Sequence, residues 1–158
     1  MERDWLNIVI QCATILIPSV VAWWVGNKIQ KKLDNEKSLH SHIVNEILDI
    51  RTTYRRIADA VRSGNSTPKE IKSELSLMSV HITDLMALIK TRKGDVSKDF
   101  LLPYQLEFNT LITDDDNYIS NYQDNKPFKI GERTNAGLTD FEKTHHHLFN
   151  DLIILIFD

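Results

Sequence analysis

The sequence has little of what small proteins use to staple themselves together. Its one cysteine, Cys12, lies inside an apolar run, so no disulfide framework can form within a chain. That suits a chain kept in a reducing compartment. Its five glycines form no phosphate-cradling loop and no nucleophile elbow, and no paired-carboxylate signature is present. Nor does any arginine precede a histidine by four to six intervening residues, which sets aside the ribonuclease family of small helical nucleotide-binding bundles. We therefore expect no enzyme, no catalytic residue and no cofactor. Positive charge is also in short supply: 19 Lys and Arg against 22 Asp and Glu give a net charge of -3. Nucleic acid is not implied by charge alone. At 158 residues the chain is one domain's worth, or less once a membrane anchor is subtracted.

What is there begins with "WLNIVIQCATILIPSVVAWW", residues 5–24, in which no side chain is charged. As a helix residues 5–25 would be about 30 Å long, the thickness of a bilayer's hydrocarbon. Two alternatives are a cleaved secretory signal, with residues 20–22 as a small-residue end, and a buried core helix. Against the first, the leader "MERD" carries no net positive charge and the run is longer than a signal core. Against the second, the remaining chain is small, and Trp23 and Trp24 stand where an aromatic belt would be. We expect an uncut transmembrane helix over residues 1–27 and a cytosolic helical domain over residues 28–158. Lys28, Lys31, Lys32 and Lys37 follow the run, which under the positive-inside rule puts the N-terminus outside and the remainder in the cytoplasm.

Asn7, Gln11 and Thr14 interrupt the run at helical spacing, with Pro18 on the same line. In lipid such side chains are retained where they face another helix or water, because acyl chains leave their hydrogen bonds unmade. The stripe therefore predicts lateral self-association or a water-lined path. The rhythm continues through Ile29, Leu33, Glu36, His40, Ile43, Ile47, Ile50, Tyr54, Ile57 and Val61 at spacings of three and four. This is the heptad spacing of an oligomer seam, with His40 as a polar register-setting position. Only Gly26 weakens the connection, so one helix is expected to run from the membrane into the cytoplasm.

Gly64 and Asn65 read as helix breakers, and Thr67, Pro68 and Glu70 as a capped restart with a capping box. The second helix buries Ile71, Leu75, Met78, Ile82, Leu85 and Ile89, ends at "KTRKG", and the short turn before it favours an antiparallel hairpin. A third follows Ser97, using Phe100, Leu101, Tyr104, Phe108, Leu111 and Ile112, with Pro103 in its opening turns. Residues 113–137 read as mostly loop. A last helix from about Thr139 uses Phe141, His145, Leu148, Leu152 and Leu155. The expected fold class is all-α: a transmembrane helix continuing into a long cytosolic helix, followed by a small helical bundle.

Three groups invite chemistry. Residues 145–147 are three consecutive histidines, but neighbouring helical side chains diverge by about 100°, and a second ligand group is missing, so no metal site is expected. "DDDN", residues 114–117, lacks the glycine and glutamate of an EF-hand and reads as a solvated acidic loop. "RTTYRRIADAVR" places Arg51, Arg55 and Arg62 on one helix face with Tyr54 and Arg56 beside them. Arginine forks next to an aromatic suit phosphates and stacked bases, making this the candidate anionic-ligand site; the alternative is a solvated face balanced by Asp49 and Asp59.

A lone N-terminal span of the "WLNIVIQCATILIPSVVAWW" kind, joined to a small helical module without catalytic motifs, resembles the membrane effectors of bacterial antiphage defence, and among them the Hailong type. The resemblance is architectural and covers the whole chain. It implies a homo-oligomeric channel in the bacterial inner membrane that depolarises the cell when released, held inactive by a single-stranded oligonucleotide made by a partner nucleotidyltransferase. The partners it implies are the lipid bilayer, further copies of the chain, and a cytosolic regulatory protein or such an oligonucleotide. A non-conducting, membrane-anchored oligomeric adaptor is the alternative.

Overall fold

The computed structural model describes the backbone of residues 2–157 and the side chains of residues 27–157 apart from Asn35. The chain is all-α: α1 Glu2–Ser63, α2 Pro68–Arg92, α3 Leu102–Thr113, α4 Asp116–Asn121, α5 Glu132–His145 and α6 Leu148–Phe157. It divides into two units, Met1–His42 and Ile43–Asp158. Among the described residues no helix is long and apolar enough to cross a membrane. The run over residues 5–25, the polar line Asn7, Gln11, Thr14 and Pro18, and the expected anchor lie outside the residues whose side chains are described.

In the first unit Ile29 and Leu33 are 55% and 49% exposed. In the second, Ile43, Ile47 and Ile50 are buried to within 2% of complete, together with Tyr54, Ile57 and Val61. The expected seam is thus divided between exposed and buried positions. Its lower part is consumed by the chain's own core and offers no side chain to another copy. The heptad beat could not foretell this, because a helix docking on its own domain needs the same stripe as one docking on a neighbour.

The α1–α2 junction follows its turn chemistry. Gly64 takes φ +76°, and the N–H groups of Gly64 and Asn65 both reach the Ala60 carbonyl, at 3.1 and 3.3 Å. That left-handed residue closes the helix where a side chain would be strained. Thr67 then caps α2: its N–H donates to the Glu70 carboxylate at 2.8 Å, and its hydroxyl accepts from the Glu70 N–H at 3.4 Å. The Thr67 backbone N–H first, and its side chain second, hold the Glu70 carboxyl below its ordinary pKa. All six expected apolar positions of α2 are buried, and Arg56 on α1 pairs with Glu74 at 3.4 Å.

In α3, Pro103 falls in the first turn, and Leu101, Tyr104, Phe108 and Ile112 are buried. Phe100 and Leu111 are only half-buried. The α3 helix packs most closely on α5, where a Cβ on Gly137 would stand 3.3 Å from the Leu111 side chain. The glycine lets the two helices approach, at the helix-propensity cost of about 1 kcal/mol that an interior glycine carries. Gln105 also donates to the Ser79 hydroxyl, tying α3 to α2.

The stretch expected to be mostly loop is more ordered than that. It contains α4 and the first turns of α5, and it buries Tyr118, Phe128 and Ile130. Asp115 is 3% exposed rather than solvated. One of its oxygens accepts from the Asn117 and Tyr118 N–H groups at 2.9 and 3.2 Å, and the other from the Gly131 N–H at 2.9 Å. It caps α4 and fixes the start of α5 with one carboxylate. The segment between them returns to the α1–α2 turn, with Phe128 N–H on the Ser66 carbonyl at 3.2 Å and Ile130 N–H on Val61 at 3.1 Å. Asn125, at φ +51°, accepts from the Lys69 N–H and so satisfies a donor in the first turn of α2.

The last expected helix is two helices, broken after His145. The new phase buries Phe149, Leu152 and Ile156, while Leu155, expected to face inward, is 42% exposed. Of the expected positions beyond the break Leu152 is buried and Leu148 half-buried, while Phe149 and Ile156 were not expected.

Candidate anion-binding site

The aromatic centre of the second unit forms because α1, α3, α5 and α6 each contribute rings at buried positions. Tyr54 meets Phe108 edge-on at 4.7 Å and Tyr104 at 5.0 Å; Tyr104 meets Phe141 at 4.8 Å and Phe149 at 5.0 Å. Such pairs contribute about 0.5 to 1.5 kcal/mol each beyond area burial, and they set ring orientation. A cleft of about 390 Å³ opens beside this cluster. From α1 it is lined by Arg51, Tyr54, Arg55, Asp59 and Arg62, from α3 by Tyr104 and Phe108, and the far side is built from Glu142, His145, His146 and Phe149.

The basic motif is therefore split by the fold. Arg51, Tyr54, Arg55 and Arg62 converge on one cleft, whereas Arg56 does not line it and pairs with α2. Arg62 lines the cleft with its guanidinium already engaged. It donates to both Glu142 oxygens at 2.9 and 3.1 Å, to Asn135 at 3.0 Å and to Thr139 at 3.4 Å, with Asp59 at 3.9 Å. A planar fork held bidentately in this way locks α1 to α5. Arg51 has one long bond, to the Asn150 side chain at 3.3 Å. Arg55 is exposed and has neither ion pair nor hydrogen bond among the described residues.

Two tyrosines give the cleft its other polar groups. The Tyr54 hydroxyl is buried with no hydrogen-bond partner, and burial, with Tyr104 nearby, pushes its pKa well above the ordinary value. Burial likewise raises Tyr104, followed by the Glu142 carboxylate; Arg55 and Arg51 act in the opposite, weaker sense. Both phenols are neutral donors at physiological pH. His145 lies 3.0 Å from the Phe141 carbonyl through Nδ1, with Nε2 3.7 Å from Glu107. His147 lies outside the cleft, 3.7 Å from Asp151. Among the described residues no three His, Cys, Asp or Glu side chains are grouped to hold a metal. Sequence reasoning missed Tyr104, Glu142, His145, His146 and Asn150 as neighbours of the arginines, because they come from helices far along the chain.

Fold and site together define an all-α domain with a cation-lined cleft beside an aromatic core. The chain matches no protein-family model, no curated protein and no solved structure.

Proposed function

We propose that the protein is a homo-oligomeric membrane pore, an effector that depolarises the bacterial inner membrane and is controlled through its helical domain. The observation that carries this reading is the charge-free run of residues 5–24, with its line of Asn7, Gln11 and Thr14, in the same helix that supplies Arg51, Tyr54 and Arg55 to the cleft. A ligand gripping α1 at the cleft then acts on the element that would line the pore, and differential binding to closed and open states is what such control requires. Exposed Ile29 and Leu33 provide the remaining seam for self-association. The hypothesis places the N-terminus outside and residues 28–158 in the cytoplasm, on the lysines that follow the run.

A second reading, a non-conducting membrane-anchored adaptor, draws on a different observation. Leu77 and Val80 on α2 and Leu102 and Leu106 on α3 are 41–63% exposed, and the Ser79–Gln105 bond joins their two helices. Exposed apolar side chains of this kind suit partner recruitment. Membrane potential read by a voltage-sensitive dye, in bacteria expressing the chain or its Asn7→Leu, Gln11→Leu variant at equal membrane abundance, separates the two. Depolarisation by the native chain and not by the variant is expected. Equal depolarisation by both removes the stripe from the conducting path, and none by either favours the adaptor.

A further inference from the structure

The cleft's charge balance is narrower than its three arginines suggest. Glu142 and Asp59 are the two carboxylates in its lining, and both lie against Arg62, at 2.9 and 3.9 Å. Arg51 and Arg55 are left with most of their donors unspent, four residues apart on one face of α1. Two uncommitted guanidinium groups match a charge of about -2, that of a phosphate monoester near neutral pH, better than the single charge of a diester. Tyr54 also lines the cleft, and its hydroxyl lies just below solvent reach without a partner, so a bound group accepts from it only as the side chains over it move aside; until then the buried donor is costly.

Size restricts the ligand further. A volume of about 390 Å³ lies toward the small end of the roughly 300–1,000 Å³ typical of small-molecule sites. It exceeds what a bare phosphate needs, and the surplus is bounded partly by rings, Tyr104 and Phe149 among them. A polymer continuing out of the cleft would pass exposed carboxylates, Asp59 on α1 and Glu107 beside His145, instead of the run of cations that tracks a nucleic-acid backbone.

We infer that the cleft is a binding site for one organic phosphate monoester, its phosphoryl group seated on Arg51 and Arg55 and, as the side chains over it move aside, accepting from the Tyr54 hydroxyl. Arg62 and Glu142 position the wall and make no contact with the phosphate. The ligand's role as the signal that controls the pore rests on the function proposed above; the binding itself does not. Such a group is carried by a free small molecule and also by the end of a 5′-phosphorylated oligonucleotide.

Titration calorimetry on the purified full-length chain tests the seat with inorganic phosphate, AMP, glycerol phosphate, and one short DNA carrying either a 5′-phosphate or a 5′-hydroxyl. Saturable heat is expected with an organic monoester and weaker heat with inorganic phosphate. Arg51→Ala and Arg55→Ala should each lose about tenfold or more in affinity, the weight of a charge-assisted hydrogen bond. Tyr54→Phe should lose roughly fivefold while melting no lower than the native chain. That pairing excludes a purely structural role, since an unneeded hydroxyl would leave affinity unchanged. Binding of the 5′-phosphorylated DNA alone identifies an oligonucleotide end as the source, and binding of AMP or glycerol phosphate a free small molecule. The inference is overturned if no phosphate probe binds up to about 10 mM, if the 5′-hydroxyl DNA binds as well as the phosphorylated one, or if the Arg55 and Tyr54 variants bind like the native chain. Binding in a chain that never depolarises cells removes the pore and keeps the seat; depolarisation without binding does the reverse.

Discussion

Replacing Tyr54 with phenylalanine should stabilise this protein. The ring stays, and with it the edge-on contacts to Phe108 at 4.7 Å and Tyr104 at 5.0 Å. What leaves is a hydroxyl buried without a partner. An unmet buried polar group costs about 1–3 kcal/mol of desolvation, and the void left by one oxygen returns only a few tenths of a kcal/mol. A net gain of about 1 kcal/mol follows, a melting rise of about 4 °C for a unit of this size, residues 43–158. Urea unfolding followed by the near-ultraviolet tyrosine signal is the assay of choice, because all four tyrosines lie in that unit while all three tryptophans, Trp5, Trp23 and Trp24, lie in the first. Tyr54→Leu should destabilise instead, through lost ring contacts. If Tyr54→Phe lowers the midpoint by an amount equal to a hydrogen bond, the hydroxyl is satisfied in solution, and the argument that the cleft is built around an unmet donor fails with it. A stability gain from removing a group in a cleft is the signature expected where binding has been favoured over stability.

Two further outcomes follow from the same geometry. Asp115→Ala removes a charged acceptor from three backbone N–H groups that anchor α4 and α5, and should lower stability by roughly 3 kcal/mol, read as a shift of the urea midpoint; a loss below about 0.5 kcal/mol would return Asp115 to the status of a solvated acid. Tyr54 and Tyr104 have folded pKa values raised above the unfolded value of about 10. Their contribution is therefore complete below pH ~10 and declines as pH rises beyond it, by roughly 1.4 kcal/mol per pH unit for each. Burial also raises Tyr118, so native protein held just above that pH should show a tyrosinate absorbance short by at least two residues until it unfolds; full ionisation without unfolding would refute the burial.

Some elements were legible in the sequence because their causes are local. Thr67, Pro68 and Glu70 specify the start of α2 through bonds within one turn. The stripe from Ile71 to Ile89 keeps one phase over an unbroken helix, so every position in it is buried. The cap of α4 is local, Asp115 bonding N–H groups two and three residues on, yet it reads in the sequence as a solvated acid; the start of α5 was not legible, because the segment leading into it closes on Asp115, Ser66 and Val61, distant in sequence, and because Gly137 and Asn135 hide an apolar period that docking on α3 makes unnecessary. Beyond the break after His145 the stripe placed Leu152 inside but missed Phe149 and Ile156. For the site, helical spacing placed Arg51, Arg55 and Arg62 on one face but could not distinguish an arginine that is free from one held by Glu142.

By itself the sequence determined the all-α class, the capped junction between α1 and α2, the apolar faces of α2 and α3, and the clustering of arginines on α1. Periodicity and capping act within a few residues, and the chain carries that information wherever it folds. Tertiary structure alone decided which arginines stay available, which carboxylates neutralise the rest, that Ile43, Ile47 and Ile50 serve the chain's own core, and that Tyr54 ends without a partner. Those are outcomes of packing between helices far apart in sequence, where one side chain's partner is set by the docking of all the others.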